Sequence, residues 1–339
     1  MIKKITIKNY KSILDTSLHL SPFTLLIGAN GTGKSNFLQF LKSISDVLND
    51  KSSTLPKHIN HNSSEQEFIF TDEKERVLKL IDQKEGNYPE PFHFNFQIDN
   101  ESDIMNLNEL KENVWYKQHP LISTLKNVSI FSLDPENAGR QEDLVPNPVV
   151  LEDGSGVVQV LDALKTGDRE DLFDKIEYTL SQFISEIEKL SFLPNKNVKQ
   201  LQVREKYISS PVPVSQLSDG VKLALILITI IFQERPPSLI CIEEIDRGLH
   251  PRLFGKIVEL CFDMANRENM PQIIATTHNP YLVDQFKDNE DSIIISEKKE
   301  GKTLFTSLKE RLFSLKPGEE PLGELWYSGY IGGVPHEGA

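Results

Sequence analysis

A chain of 339 residues with 38% hydrophobic and 26% charged side chains can bury a large core, as one large domain or two smaller ones. Its formal net charge of −13 excludes a broad nucleic-acid surface through self-repulsion, while a local basic stripe in an oligomer stays allowed. No apolar run reaches the roughly 20 residues that span a bilayer, and the start Met-Ile-Lys-Lys-Ile lacks a secretory h-region, so a cytoplasmic chain with no membrane partner is expected.

Residues 1–20 alternate apolar and polar positions (Ile2, Ile5, Ile7; Leu14, Leu18, Leu20), which predicts two half-buried antiparallel strands. "FTLLIGAN" is a continuous apolar run ending in glycine, the pattern of a central strand buried on both faces. From Lys34 to about Leu48, the spacing of Phe37, Leu38, Leu41, Ile44 and Leu48 is helical. The polar stretch "NDKSSTLPKHINHNSSEQE" reads as a loop, and "PFHFNFQID" as a strand with Phe92, Phe94 and Phe96 on one core-facing side. Residues 102–127 and 157–191 read as mostly helical, joined by a short strand-like "VSIFSLD". "KQLQVREKYIS" alternates again, and a helix runs from Ser218 to about Gln233. Strand 239–243, helix 251–267, strand 272–276, a short helix from Pro280 and strand 292–296 follow. Buried strands alternating with helices predict an α/β fold with a mostly parallel core sheet, an N-terminal antiparallel β layer and an inserted helical lobe. Cys241 and Cys261 sit in apolar contexts and read as core residues, too few for a disulfide framework or a zinc site.

Three strand ends carry the chemistry. "GANGTGKS", Gly28 to Ser35, follows a buried strand and opens a helix, the setting that a G-x4-G-K-[ST] phosphate loop requires. Glycines let backbone N–H groups form a nest for phosphate oxygens, Lys34 reaches the β and γ phosphates, and the Ser35 hydroxyl holds Mg²⁺. The candidate nucleotide-binding set is Gly28, Asn30, Gly31, Thr32, Gly33, Lys34, Ser35 and Asn36. "SLICIEEIDRGLHP" is an apolar strand ending in Glu243, a candidate for the Mg²⁺ shell, and Glu244, which can polarise an attacking water. The alternative is a pair of solvated acids. "QIIATTHNPYLV" ends its strand at His278, which either reaches a γ phosphate or serves the turn before Pro280. Ser218 and Gly220, in "PVSQLSDGVKLAL", offer a hydroxyl and an open N–H at the positive end of a helix, suited to an anion, and Ser218 also reads as an N-cap.

In their order, these motifs resemble the ABC-type ATPases of the SMC, RecF and OLD branch, over roughly residues 1–48 and 193–298. "ITIKNYKSI" and "GLHP" look like that branch rather than like transporter ATPases. The resemblance implies a P-loop NTPase fold using ATP and Mg²⁺, with Lys34, Glu244 and His278 catalytic and Ser35 and Glu243 at the metal. It identifies Leu217–Gly220 as a signature motif, whose Ser218 and Gly220 contact the γ phosphate held by another subunit. His250, before Pro251, matches the branch's cross-dimer loop or serves its own turn. The chain departs from the broader family in having Glu243 where Asp is commoner, one methylene longer. No Q-loop glutamine is placed, Gln97 being the one candidate.

The expected organisation is an N-terminal ATPase part (1–100), a mainly helical lobe ending in the signature helix (101–235), a C-terminal ATPase part (236–314) and a Gly/aromatic tail (315–339). The tail reads as a docking element or a loose end; Leu325, Trp326, Tyr327 and Tyr330 either anchor a partner or fold back onto the core. The expected partners are a second copy of the chain, a separate effector such as a nuclease, and DNA reached through the complex. The setting implied is phage defence or DNA repair, and no fused Toprim-type nuclease is expected. A nucleotide-locked scaffold caging an effector and a transporter ATPase subunit are the rival readings.

Overall fold

The structure of the protein is a computed structural model that describes residues 1–52, 55–56, 66–82, 94–99, 109, 112, 118–141, 143, 145–195, 198–267, 270–316, 318 and 320–335. It divides into two compact units, one formed by residues 1–130, 238–245 and 261–339, the other by 131–237 and 246–260.

In the first unit, β1 (Ile2–Tyr10) and β2 (Ile13–His19) form an antiparallel hairpin that buries Ile2, Ile5, Ile7, Ile13 and Leu18; Ile5 and Ile7 keep the period of two, which the register shift between Ile2 and Lys4 interrupts. A second hairpin, β4 (Gln66–Asp72) and β5 (Val77–Asp82), and then β6 (Phe94–Ile98) extend it beyond β1. β3 (Phe23–Ile27) is buried at every position, as its unbroken apolar run requires of a strand covered on both faces. It pairs in parallel with β12 (Gln272–Thr276), which pairs in parallel with β11 (Leu239–Ile242). On its other side β3 pairs in parallel with β13 (Ile293–Lys299), which turns back antiparallel into β14 (Lys302–Ser307). A parallel bridge between Thr303 and Ile13 then joins β14 to β2. The antiparallel layer and the parallel core are thus one sheet in the order β6-β5-β4-β1-β2-β14-β13-β3-β12-β11-β7, with β7 Val128–Phe131 at its far edge.

Helix α1 (Lys34–Leu48) packs the predicted stripe Phe37, Leu38, Leu41, Ile44 and Leu48 into this unit's core. Phe40 adds aromatic contacts to Tyr10 and Phe68, with ring centroids 5.2 and 5.0 Å away. Helix α2 (Pro120–Lys126) is fastened to α1 where Ser45 Oγ and Asn49 Nδ2 donate to the Lys126 carbonyl at 2.9 and 2.8 Å. Phe92, most of the expected loop at 49–67 and most of the expected helix at 102–127 lie outside the described residues. Phe96, which is described, is fully buried.

The second unit contains α3 (Val157–Thr166), α4 (Glu170–Phe183), α5 (Asp219–Phe232) and a three-stranded antiparallel sheet of β8 (Ile187–Asn195), β9 (Val198–Glu205) and β10 (Val212–Pro213). The helical reading of 157–191 is therefore corrected: residues 187–191 are strand. The cause is a bulge. Leu180, Phe183, Ile187 and Leu190 are all buried at spacings of three, four and three, which continues a helical stripe in sequence. The spacing of three from Ile187 to Leu190 arises because the β8–β9 register shifts between Ile187 and Lys189. Helix α6 (Phe254–Ala265) follows a short tight turn at Pro251–Leu253, and α7 (Pro280–Val283) follows β12. The chain closes with α8 (Leu308–Leu315) and α9 (Leu322–Tyr327).

The described residues of the tail pack onto the first unit. Leu325, Trp326 and Ile331 are buried, Trp326 Nε1 donates to the Gly333 carbonyl at 3.3 Å, and Gly323 N–H donates to Asp284 at 2.7 Å. Tyr327 and Tyr330 remain exposed. Among the described residues no helix is long and apolar enough to cross a membrane. Both cysteines are buried and unpaired by disulfide, and burial pushes the Cys261 thiol up to about 12.

Candidate functional site

Parallel pairing decides what meets what. The register sets Leu26 beside Thr276, Ala275 beside Ile242, and Ile27 beside Ile295. The segments leaving β3, β12 and β11 therefore emerge at one edge of the sheet, where open α/β sheets bind their ligands. Those segments are the glycine-rich loop, the His278 loop and the Glu243–Glu244 pair.

The loop from Gly28 to Gly33 has a conformation that its glycines permit. Gly28, Gly31 and Gly33 have φ of 150°, 75° and 110°. A Cβ on Gly28 would lie 2.3 Å from the Ser296 carbonyl oxygen, and one on Gly33 would lie 2.2 Å from Thr303 Oγ1. Two strands thus press against the loop from below. Thr32 Oγ1 donates to the Ala29 carbonyl at 2.9 Å and closes the loop on itself.

Lys34, the first residue of α1, is 6% exposed and turns back into the loop, donating to the carbonyls of Gly28 at 2.7 Å and Ala29 at 2.9 Å. Burial lowers its pKa from 10.5 to about 8, against a smaller upward pull from the Glu244 charge. A buried ammonium held mainly by carbonyl dipoles, beside a cradle lined by glycines, suits a polyanion. The phosphates would supply the counter-charge that this structure provides only in part.

Glu243 is half-buried and Glu244 exposed, directly after β11. Glu244 has φ of 50°, a left-handed conformation that a side chain adopts at a cost of about 1 kcal/mol. Its N–H donates to Thr276 Oγ1 at 2.9 Å, and the next N–H, of Ile245, donates to the Thr276 carbonyl at 3.1 Å. The last residue of β12 therefore grips the backbone on both sides of the strained peptide. His278 is exposed on the loop after β12, between Thr277, whose Oγ1 accepts the Asn279 N–H at 3.0 Å, and Asn279, whose side chain caps α7. The donors available to a hard cation are the Ser35 hydroxyl and the Glu243 carboxylate, an oxygen set that suits Mg²⁺ shared with phosphate oxygens. Among the described residues no cluster of three or more His, Cys, Asp or Glu forms an all-protein metal cage.

Asn36 directs its carboxamide to Ser12 Oγ at 2.8 Å. Gln97 lies on β6, the terminal strand of the antiparallel side of the sheet. His250 accepts the Arg252 N–H through Nδ1 at 3.2 Å and so serves its own turn. Ser218 and Gly220, the expected signature residues, belong to the second unit. Ser218 occupies the N-cap position of α5, but its exposed side chain makes no capping hydrogen bond, so the expectation that it caps is corrected. Gly220 faces the Gly248 carbonyl, which a Cβ would approach to 3.3 Å. Behind them Lys222, buried, donates to Glu136 at 2.6 Å. Ser12, Thr276, Ser296, Thr303, Lys222 and Glu136 support these motifs without having been marked by the sequence. Ser12, Thr276 and Lys222 lay inside segments singled out there, whereas Ser296, Thr303 and Glu136 did not.

Residues 23–284 match the family described as "AAA domain, putative AbiEii toxin, Type IV TA system". The chain belongs to this family. Among curated relatives, Septu protein PtuA of Bacillus mycoides (strain KBAB4) is 25% identical over 309 residues, covering 87% of this chain and 40% of the relative. OLD nuclease of Thermus scotoductus (strain ATCC 700910 / SA-01) is 23% identical over 373 residues, covering 92% of this chain and 67% of the relative. The chain thus spans less than half of one relative and about two thirds of the other. An Smc head bound to the C-terminal winged-helix domain of ScpA shares the fold with a TM-score of 0.56 at 17% identity, covering 92% of this chain and 99% of that one. The SMC head domain from Thermotoga maritima does so at 0.54 and 14%, covering 90% and 98%. This AAA-domain protein is similar to OLD nuclease and has the mixed α/β fold of an SMC head.

Proposed function

We propose that this chain binds and hydrolyses Mg·ATP, that two copies close around two nucleotides, and that the closed state controls a separate effector, a nuclease or toxin, in phage defence or DNA repair. The observation that carries the reading is the convergence at one sheet edge of a glycine cradle, a buried lysine turned into it, and a carboxylate on a strained, doubly anchored peptide. Strain held by specific hydrogen bonds at a site is a functional signal, since folding alone would select against it.

In this reading, loop amides and Lys34 bind the β and γ phosphates. Glu244 accepts the proton of the attacking water, and His278 orients groups at the γ position. Mg²⁺, held through Ser35 and Glu243, would neutralise phosphate charge. Ser218 and Gly220 serve the nucleotide of the second copy, which is supported by the exposed hydroxyl that α5 does not use as a cap. Effector control is supported by the family and its relatives, one of which is named as a nuclease.

The test is ATP affinity and turnover of the parent beside Lys34→Ala. The variant should lose most ATP binding and all turnover; unchanged affinity and turnover would remove the phosphate-loop assignment.

A further inference from the structure

We propose that Ser296 and Thr303 are positioning residues for nucleotide binding: together they lock the Thr32–Gly33 peptide with its N–H turned toward the phosphates. The proposal rests on reading Gly28–Ser35 as a phosphate loop.

The Thr32 carbonyl accepts two hydroxyl donors, Ser296 Oγ at 3.1 Å and Thr303 Oγ1 at 2.9 Å. Both residues are buried, at 0% and 1% exposure, and they come from the neighbouring strands β13 and β14. A carbonyl oxygen has two lone pairs, and here both are engaged. The peptide is trans, so anchoring C=O toward β13 and β14 turns the Gly33 N–H to the opposite face of the loop. That is the face left for a ligand, because a Cβ on Gly33 would already strike Thr303 on this side.

The proton directions follow from counting. Thr303 has one hydroxyl proton, and it is spent on the Thr32 carbonyl. Ser12, 2.7 Å from Thr303 Oγ1, is then the donor in that contact, and it accepts in turn from Asn36 Nδ2 at 2.8 Å. A polarised chain therefore runs from α1 through the β1–β2 turn and β14 to the loop. It gives Asn36 an indirect part in nucleotide binding and gives the serine of "NYKSI" a physical task. The gain is preorganisation: a loop amide already aimed at the anion loses less freedom when the anion arrives.

The test uses the full chain with Thr303→Val, which keeps the shape and removes the hydroxyl, Ser296→Ala, the double variant and Thr303→Ser. Affinities for ATP and ADP are measured by calorimetry, and melting is followed without nucleotide. Each single loss should weaken ATP and ADP alike by about two- to tenfold, the size expected for one neutral hydrogen bond, and the double variant should lose more. Thr303→Ser should bind close to the parent, with nucleotide-free melting little changed throughout. Parent-like affinity in the double variant overturns the proposal. So does a loss of affinity that only tracks a loss of nucleotide-free stability and is not rescued by Thr303→Ser. Lys34→Ala separates the two readings. If the parent binds ATP and Lys34→Ala does not, the phosphate loop stands whatever happens at Ser296 and Thr303; a parent without ATP affinity overturns both.

Discussion

The three glycines of the Gly28–Gly33 loop share positive φ angles but are not equivalent. Gly31 has nothing within 4 Å of where a Cβ would stand, so Gly31→Ala meets only the left-handed backbone penalty, about 1 kcal/mol. Gly28→Ala would drive a methyl to 2.3 Å from the Ser296 carbonyl, a backbone atom within a paired strand that cannot yield cheaply. Gly31→Ala should therefore fold with a small fall in melting temperature. Gly28→Ala should displace the loop from β13 and lose ATP binding together with several times that stability. Thermal melting and calorimetry of the two proteins side by side check the contrast. Equal behaviour would mean that backbone angle alone, not the strand beneath, demands the glycines. Loop motif, lysine and carboxylate pair were legible because phosphate chemistry demands particular residue types at particular spacings. Ser296 and Thr303 were not, because a short hydroxyl side chain in a strand looks the same whether it faces water or a loop carbonyl.

At the scale of elements, periodicity located β1, β2, β3, α1, α5 and β12, where one continuous stripe or an unbroken apolar run faces a core. It misled at β8, where a bulge imitates helical spacing. β14 escaped it because Thr303 is buried while Leu304 is 41% exposed, inverting the usual pattern. Helix α5, proposed as the signature helix, bears a sharper prediction. From Lys222 to Phe232 every residue of α5 is buried, while Ser218 and Asp219 at its start are exposed. A helix so anchored can present its first turn to another molecule without moving. Ser218→Arg and Lys34→Ala should each be nearly inactive alone. Co-expressed, the Lys34→Ala subunit can lend its signature to the intact loop of the Ser218→Arg subunit. Random pairing makes about half the dimers mixed, each with one whole site of two, so turnover should return to roughly a quarter of the parent if sites are independent. Ser218→Arg fully active by itself would remove the trans assignment.

At the scale of the whole molecule, the tail is a part of the first unit. Gly333 reaches Glu297, whose Oε1 accepts its N–H at 3.1 Å, while the other carboxylate oxygen pairs with Arg311 at 2.5 Å. Trp326 lies under it, 5% exposed. Deleting residues 318–339 should therefore lower stability and solubility rather than merely release a partner, and Trp326→Ala should cost about 3 kcal/mol or more as a large buried aromatic. Tyr327, 81% exposed, should tolerate Tyr327→Ser with unchanged melting. Chemical denaturation of the three proteins checks the order. A truncated chain as stable as the parent would contradict the packing described here.

The claim on which the rest depends is that Glu244 is the base of an ATP-closed dimer. Glu244→Gln keeps the side chain's shape and its strained peptide while removing the proton acceptor. The most direct measurement is the mass of purified Glu244→Gln in solution with Mg²⁺ and ATP, taken together with the identity of the nucleotide retained. A dimer carrying intact ATP, where the parent under the same conditions returns to monomer and ADP, is the predicted result. A Glu244→Gln protein that hydrolyses ATP at the parent rate, or that binds ATP and stays monomeric, would contradict it.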